Sequence, residues 1–282
     1  MQLRAGKFTL MLDRPLIMGV VNVTPDSFSD GGEFFDAASA IAHARRLIEE
    51  GADLLDIGGE SSRPGAAPLP LQEELKRVLP VLEACVAFGK PVSIDTYKPE
   101  VMQAAAAAGA AMFNDIWAFQ REDAIKAALG AALMANHQGL ALCAMHMQRD
   151  PATMQDNPHY DNVTRDVKIF LAARVAAFVE AGVPRDQIVV DPGFGFGKTV
   201  AHNMQLLREL NDFTSLGVPV LAGLSRKSSI GAVTGRKSPQ ERVYGSVAAA
   251  MIAAQNGATI LRVHDVAATR DALAILAAVK SK

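Results

Sequence analysis

Cysteine is scarce in this chain of 282 residues. Cys85 and Cys143 are the only two, with neither a C-x-x-C pair nor a zinc-ligand spacing between them. That leaves no basis for a disulfide framework or a structural zinc site and points to reduced, buried thiols in a cytoplasmic protein. Charge of one sign is lacking too: 28 Lys and Arg against 30 Asp and Glu leave a net charge of -2, which argues against nucleic acid or an anionic membrane as the main partner. Local anion sites remain open to clustered Arg and Lys. No apolar run reaches membrane-spanning length once Gly, Pro and charges are counted, and the first residues show no basic segment leading into an apolar stretch. Neither a G-x-S-x-G elbow nor an H-E-x-x-H helix is present, so the commonest hydrolase and zinc-protease signatures are missing.

Half of the residues are nevertheless apolar, enough at this length for one large α/β barrel or two small domains. After a possible hairpin from Gln2 to Leu12, eight apolar stretches follow, almost all ending in a polar residue. They run into Asn22, Gly58 to Glu60, Asp95, Asn114, His146, Asp191, Ser225 and His264. Period-2 alternation is weak in them, as expected of parallel strands buried on both faces. The helical stretches between mostly finish at a glycine just before the next strand: Gly51, Gly89, Gly109, Gly139, Gly182, Gly217 and Gly257, which read as C-caps. GADLLDI, GAAMFND and GATILRV repeat one helix-to-strand junction. Eight βα units with no intervening linker predict an α/β fold, a (β/α)8 TIM barrel forming a single domain from residue 1 to 282 with a short N-terminal β-hairpin. The long connections all follow strands, so they and the polar strand ends should meet at one carboxyl-terminal mouth. A doubly wound open sheet is the competing arrangement and would gather only one or two polar ends in its crevice.

Within that order the segment Ile188 to Lys198 is the most informative, because an apolar strand ends in Asp191 and then in Pro192 and three alternating glycines. It is no P-loop, which would need glycine at Pro192, and its G-x-G-x-G spacing differs from the dinucleotide G-x-G-x-x-G. The plainer alternative is a glycine-rich turn with a capping Asp. Asp95, Asn114, Asp191 and Lys227 together suit a planar heterocycle with amidine-like edges, since carboxylates accept from ring N–H groups and an amide offers both polarities. Arg63, Arg262 and His264 could neutralise phosphate, and a guanidinium can also stack on a flat ring. Each has a plainer role as well: Asp95 and Asn114 as helix caps, Arg63 on the surface, His264 as a helix-start histidine. Convergence on one mouth is what favours a phosphorylated heterocycle.

Eight motifs then carry a resemblance over essentially the whole chain. They are MGVVNVTPDSFSDGG from Met18, DIGGESSRPGA from Asp56, SIDT from Ser93, FNDI from Phe113, MHMQ from Met145, DPGFGFGK from Asp191, SRKS from Ser225 and RVHD from Arg262. In these the chain resembles the dihydropteroate synthases of the pterin-binding barrel family. The resemblance implies a Mg2+-dependent transferase of folate synthesis, joining p-aminobenzoate to 6-hydroxymethyl-7,8-dihydropterin diphosphate with release of pyrophosphate. It implies that Asp95, Asn114, Asp191 and Lys227 hold the pterin, with Met145 lining the slot and Arg262 stacking over it. Asn22 would bind Mg2+ and, with Arg63, Arg262 and His264, the pyrophosphate. Phe28, Ser62, Pro64, Phe196, Lys227 and Ser228 would enclose p-aminobenzoate, and Asp95, Asp191, Lys227 and Arg262 would carry the catalysis. A homodimer through helices outside the barrel is expected. The loops Thr24 to Phe35 and Gly59 to Pro70 are expected to order only once the pterin diphosphate is bound. Ser62 departs from the usual Thr of that loop, removing one methyl and on the order of 0.8 kcal/mol of packing, and the segment Trp117 to Arg121 is unlike the commoner family sequences. A pterin-dependent methyltransferase barrel is the nearest rival but should lack the TPDSFSDGG and SRPG loops. A non-catalytic pterin carrier is the other, and pyrophosphate release discriminates it.

Overall fold

The computed structural model describes residues 1–23, 37–61, 65–121, 124–134 (backbone alone from 131) and 139–280. The eight apolar stretches form eight parallel strands: β3 (Leu16–Asn22), β4 (Leu54–Gly58), β5 (Val92–Asp95), β6 (Met112–Asp115), β7 (Ala141–Met145), β8 (Ile188–Asp191), β9 (Leu221–Ala222) and β10 (Ile260–Val263). They neighbour one another in the order β8, β7, β6, β5, β4, β3, β10, β9. A parallel bridge between Val190 and Val220, with Val190 N donating to Pro219 O at 3.0 Å, closes β8 onto the segment leading into β9. With its two end strands joined by this bridge, the sheet is a nearly closed barrel. β9 is shorter than the sequence predicts, because Gly223 follows it and departs from the ladder. Gly223 lies beside Arg262 and Asp191, where a Cβ would be in ordinary contact, 3.8 Å from the Cβ of Arg262.

Helices follow the strands: α1 (Ala37–Glu49), α2 (Leu71–Val86), α3 (Pro99–Ala107), α4 (Ala124–Met134), α5 (Val163–Glu180), α6 (Val200–Arg208), α7 (Ser228–Thr234), α8 (Val243–Gln255) and α9 (Val266–Lys280). Outward-facing strand residues such as Leu55, Ile57, Ile94, Phe113 and Val190 share one buried layer with them. All seven glycines expected as C-caps have a left-handed backbone, with φ between +68° at Gly217 and +108° at Gly51.

The lumen is filled differently at its two ends. At the amino-terminal end Met18, Leu54, Met112, Val189 and Ile260 form an apolar plug with Leu3 and Ala5 of the N-terminal hairpin. That hairpin is β1 (Gln2–Ala5) paired antiparallel with β2 (Phe8–Met11). Two residues further along the strands, where side chains again point inward, the lumen turns polar: Asp56 after Leu54, Asn114 after Met112, Asp191 after Val189, Arg262 after Ile260. Period-2 geometry thus carries the chain from core to site within one strand.

Candidate active site

Strand register brings the expected residues together. Asp95 pairs with Asn114, Met145 with Asp191, and Gly58 with both Asn22 and Asp95. Arg262 reaches across the lumen, its Nη2 3.0 Å from Asp95 Oδ2 and its Nε 2.6 Å from Asp56 Oδ2. Burial would lower Arg262, but Asp56 and Asp95 outweigh it and hold the guanidinium above its ordinary range. Burial pushes Asp95 up to about 7, against the opposing pull of Arg262. Asp191 is also raised by burial, against the pull of Lys227 and the Gly193 N–H, which favour its anion. Lys227 is lowered to about 8 by burial, opposed by Asp191. Asp95 and Lys227 are thereby brought toward neutrality from opposite sides, as expected of groups taken out of water beside opposite charges.

The glycine loop after β8 has a specific construction. Asp191 Oδ1 accepts from Gly193 N at 2.7 Å. Gly193 adopts φ +70°, and a Cβ there would lie 1.9 Å from His146 O, so no other residue fits. Beneath the loop the Lys198 ammonium is buried and donates to the carbonyls of Gly193 and Phe196 at 2.9 Å each, with His146 Nδ1 also at 2.9 Å. Burial holds Lys198 well below its ordinary value, and burial with the neighbouring Lys198 brings His146 down to about 2, so the imidazole is neutral at neutral pH. The loop carries Phe196, whose ring lies 4.5 Å from Lys227 Nζ, and Lys227 donates to Phe194 O. Met145 closes the apolar wall beside Tyr97 and Ile116, with Phe196 packed against them.

Lys227 immediately precedes α7, and Ser228, at its first turn, is exposed. His264 Nδ1 lies 3.0 Å from Ser225 Oγ, tying the end of β10 to the SRKS loop. Arg226, at φ +60°, makes a two-pronged pair with Asp265 at 2.6 and 3.0 Å and fixes the same junction from the other side. Asn22 ends β3, partly buried, with its amide oxygen as a hard donor. Phe28, Ser62, Arg63 and Pro64 lie outside the described residues, as does the whole Thr24 to Phe35 loop.

The plainer cap roles do not hold for Asp95 or Asn114. Asp95 pairs with Arg262, and α3 starts from Lys98. The cap after β6 is Asp115, which accepts from Trp117 N and Phe119 N at 2.7 Å each. That turn holds Ala118 and Phe119 at φ +53° and +56°, and Arg174 secures it through Ala118 O. Trp117 and Arg121, at its two ends, line a cavity of about 270 Å3 that reaches Asp95, with the Arg121 guanidinium 4.3 Å from the centre of the Tyr97 ring. Sequence reasoning assigned no role to Asp56, Asp115 or Lys198. Asp56 was signalled by its place two residues before Gly58 on an otherwise apolar strand, and Lys198 by ending the glycine motif.

The chain matches the model of the family described as "Pterin binding enzyme" over residues 18–264. It is 50% identical over 276 residues to the dihydropteroate synthase of Haemophilus influenzae, covering 98% of each chain. Among solved structures it is similar to the Xanthomonas albilineans dihydropteroate synthase with 4-aminobenzoic acid, at a TM-score of 0.92 and 53% identity, covering 100% of this chain and 98% of that one. The same enzyme in complex with 7,8-dihydropteroate is similar at a TM-score of 0.89 and 50% identity, covering 100% of both chains.

Proposed function

Because the chain belongs to the pterin-binding enzymes and, within them, to the dihydropteroate synthases, we propose that its barrel mouth joins a 7,8-dihydropterin carrying a 6-hydroxymethyl diphosphate to p-aminobenzoate, releasing pyrophosphate. The observation that carries this reading is the convergence of Asp95, Asn114, Asp191, Lys227 and Arg262 at the carboxyl-terminal end of the lumen, above an apolar floor. Such a layer complements a flat ring edged with N–H donors. The two carboxylates accept from that edge, the Asn114 amide offers both polarities, and Met145 and Ile116 supply an apolar flank.

In this reading the demanding step is cleavage of the C–O bond to the diphosphate. Its cost falls when charge on the departing group is met by fixed cations and hydrogen-bond donors, supplied here by the Arg262 guanidinium and the His264 ring and, from the resemblance, by Arg63. The methylene left on the pterin becomes electron-poor, and Asp95 and Asp191, held as anions against the ring, favour that character. The amine of p-aminobenzoate then needs orientation rather than a strong base. Phe196, Lys227 and Ser228 surround the place we assign to it, with Phe28, Ser62 and Pro64 implied by the family.

Among the described residues no cluster of three or more His, Cys, Asp or Glu could hold a metal ion. Mg2+ at phosphate sites is bound through few protein oxygens, a hard-donor role that one amide oxygen could fill. Asn22 is the residue we assign to hold it, and when bound it neutralises charge on the leaving group.

The exposed apolar residues Val233, Tyr244, Ile252, Ile275 and Val279 lie on α7, α8 and α9, which pack side by side. They support a homodimer through this outer face.

Asp191 tests the pterin assignment. Asp191→Ala should fold and lose pterin binding by calorimetry, at least about a hundredfold, since a buried charge-assisted acceptor for two ring donors is removed. A folded variant with unchanged pterin affinity would falsify the assignment.

A further inference from the structure

The floor of the site holds one cation between two carboxylates. Arg262, from β10, crosses over β3 to reach Asp56 on β4 through Nε at 2.6 Å and Asp95 on β5 through Nη2 at 3.0 Å. Among the described residues Nη1 has no hydrogen-bond partner. The two carboxylates differ in place. Asp56 is fully buried, whereas Asp95 ends its strand at the mouth and keeps part of its side chain exposed. Asp56 Oδ2 also lies 3.4 Å from Asn114 Nδ2, and Asp56 Oδ1, Ser93 Oγ and Asn114 Oδ1 are buried without a protein partner among the described residues. The packing of the fold does not call for a charge there, since the lumen layer just below is closed by Leu54, Met18 and Ile260, and buried ion pairs are weak stabilisers beside apolar residues of similar volume.

We propose that Asp56 is a positioning residue of the reaction: it anchors Arg262 through Nε at the base of the site, leaving the two terminal nitrogens to exchange between Asp95 and the departing diphosphate. The inference rests on the role proposed above for Arg262. The shorter bond to the carboxylate shielded from water is the one that persists, because breaking it would leave the Asp56 carboxylate without its cation at depth. The longer bond to Asp95, nearer the mouth, is the one an entering anion can replace. Arg262 then pivots about the Asp56 contact rather than leaving the lumen. Releasing Asp95 at that moment frees its oxygen for the pterin N–H, so one movement prepares both ends of the breaking bond. Asp56 touches no substrate in this arrangement and acts through Arg262 alone.

The test compares Asp56→Asn, Arg262→Met and the double variant in steady-state kinetics, with inhibition by pyrophosphate as a second reading. Asp56→Asn should lower kcat at least about tenfold and weaken pyrophosphate inhibition by a similar factor, while KM for p-aminobenzoate stays within about twofold. Adding Asp56→Asn to Arg262→Met should change each value by less than about twofold, because its effect passes through the arginine. A similar loss from Asp56→Asn in both backgrounds, or equal rises in KM for both substrates, overturns the proposal. The double variant removes both buried charges, so its comparison with Arg262→Met decides the matter even where Asp56→Asn alone does not fold. Should Arg262→Met leave pyrophosphate inhibition unchanged, the role assigned to Arg262 fails. Should it weaken inhibition while Asp56→Asn does not, only the anchoring role of Asp56 fails.

Discussion

Asp95 and Lys227 set the conditions under which the site can work. Asp95 accepts a pterin N–H only as an anion, and burial, set against Arg262, brings its carboxyl up to about 7. Lys227 carries charge only when protonated, and burial, opposed by Asp191, brings it down to about 8. The signs oppose each other. Acidification through about 7 neutralises Asp95, and a rise through about 8 neutralises Lys227. The expected profile of kcat/KM for the pterin diphosphate is therefore a narrow bell with its maximum between the two values. A rate flat from about pH 6 to about pH 9 would show that neither charge state matters to the chemistry. Asp95, Asn114, Asp191 and Arg262 were legible in the sequence because each is a polar residue interrupting or ending an apolar run, and Lys227 because it follows two residues after the polar end at Ser225. Asp56 was less so, as its importance lies in a contact 206 positions away, and no local pattern reveals that an arginine near the other end of the chain will cross the barrel to meet it.

At the scale of elements, strands and glycine caps were readable because local chemistry decides them: β-branched runs, C-cap glycines and polar strand ends fix the βα order. The hairpin was readable as a hairpin, but its task as a plug was not, for that depends on where the closed lumen places Leu3 and Ala5. Leu3 is fully buried against the barrel floor. Leu3→Ala should cost about 2–5 kcal/mol in urea denaturation, since the surrounding strands are held by their ladder and cannot collapse into the space. A change below about 0.5 kcal/mol would mean that the hairpin rests on the barrel without supporting it. The turn after β6 was the least legible element. Nothing local marks Ala118 and Phe119 for a left-handed backbone, which is imposed by Asp115 from within and Arg174 from α5.

The whole molecule joins an apolar floor, a charged middle layer and long loops around one mouth, with an outer face on α7 to α9 that keeps apolar side chains in water. If that face forms the homodimer, Tyr244→Asp combined with Ile275→Asp should convert a dimer to a monomer in sedimentation, because charge placed on both sides of such a contact cannot be desolvated. A native chain sedimenting as a monomer at micromolar concentration would remove the proposal. The central claim is the reaction itself. Its most direct test follows pyrophosphate and dihydropteroate together when the protein is given the pterin diphosphate, p-aminobenzoate and Mg2+. The expected result is one pyrophosphate for each dihydropteroate, and neither product when p-aminobenzoate is withheld. Pyrophosphate released at the same rate without p-aminobenzoate, or a pterin bound with neither product formed, would contradict it.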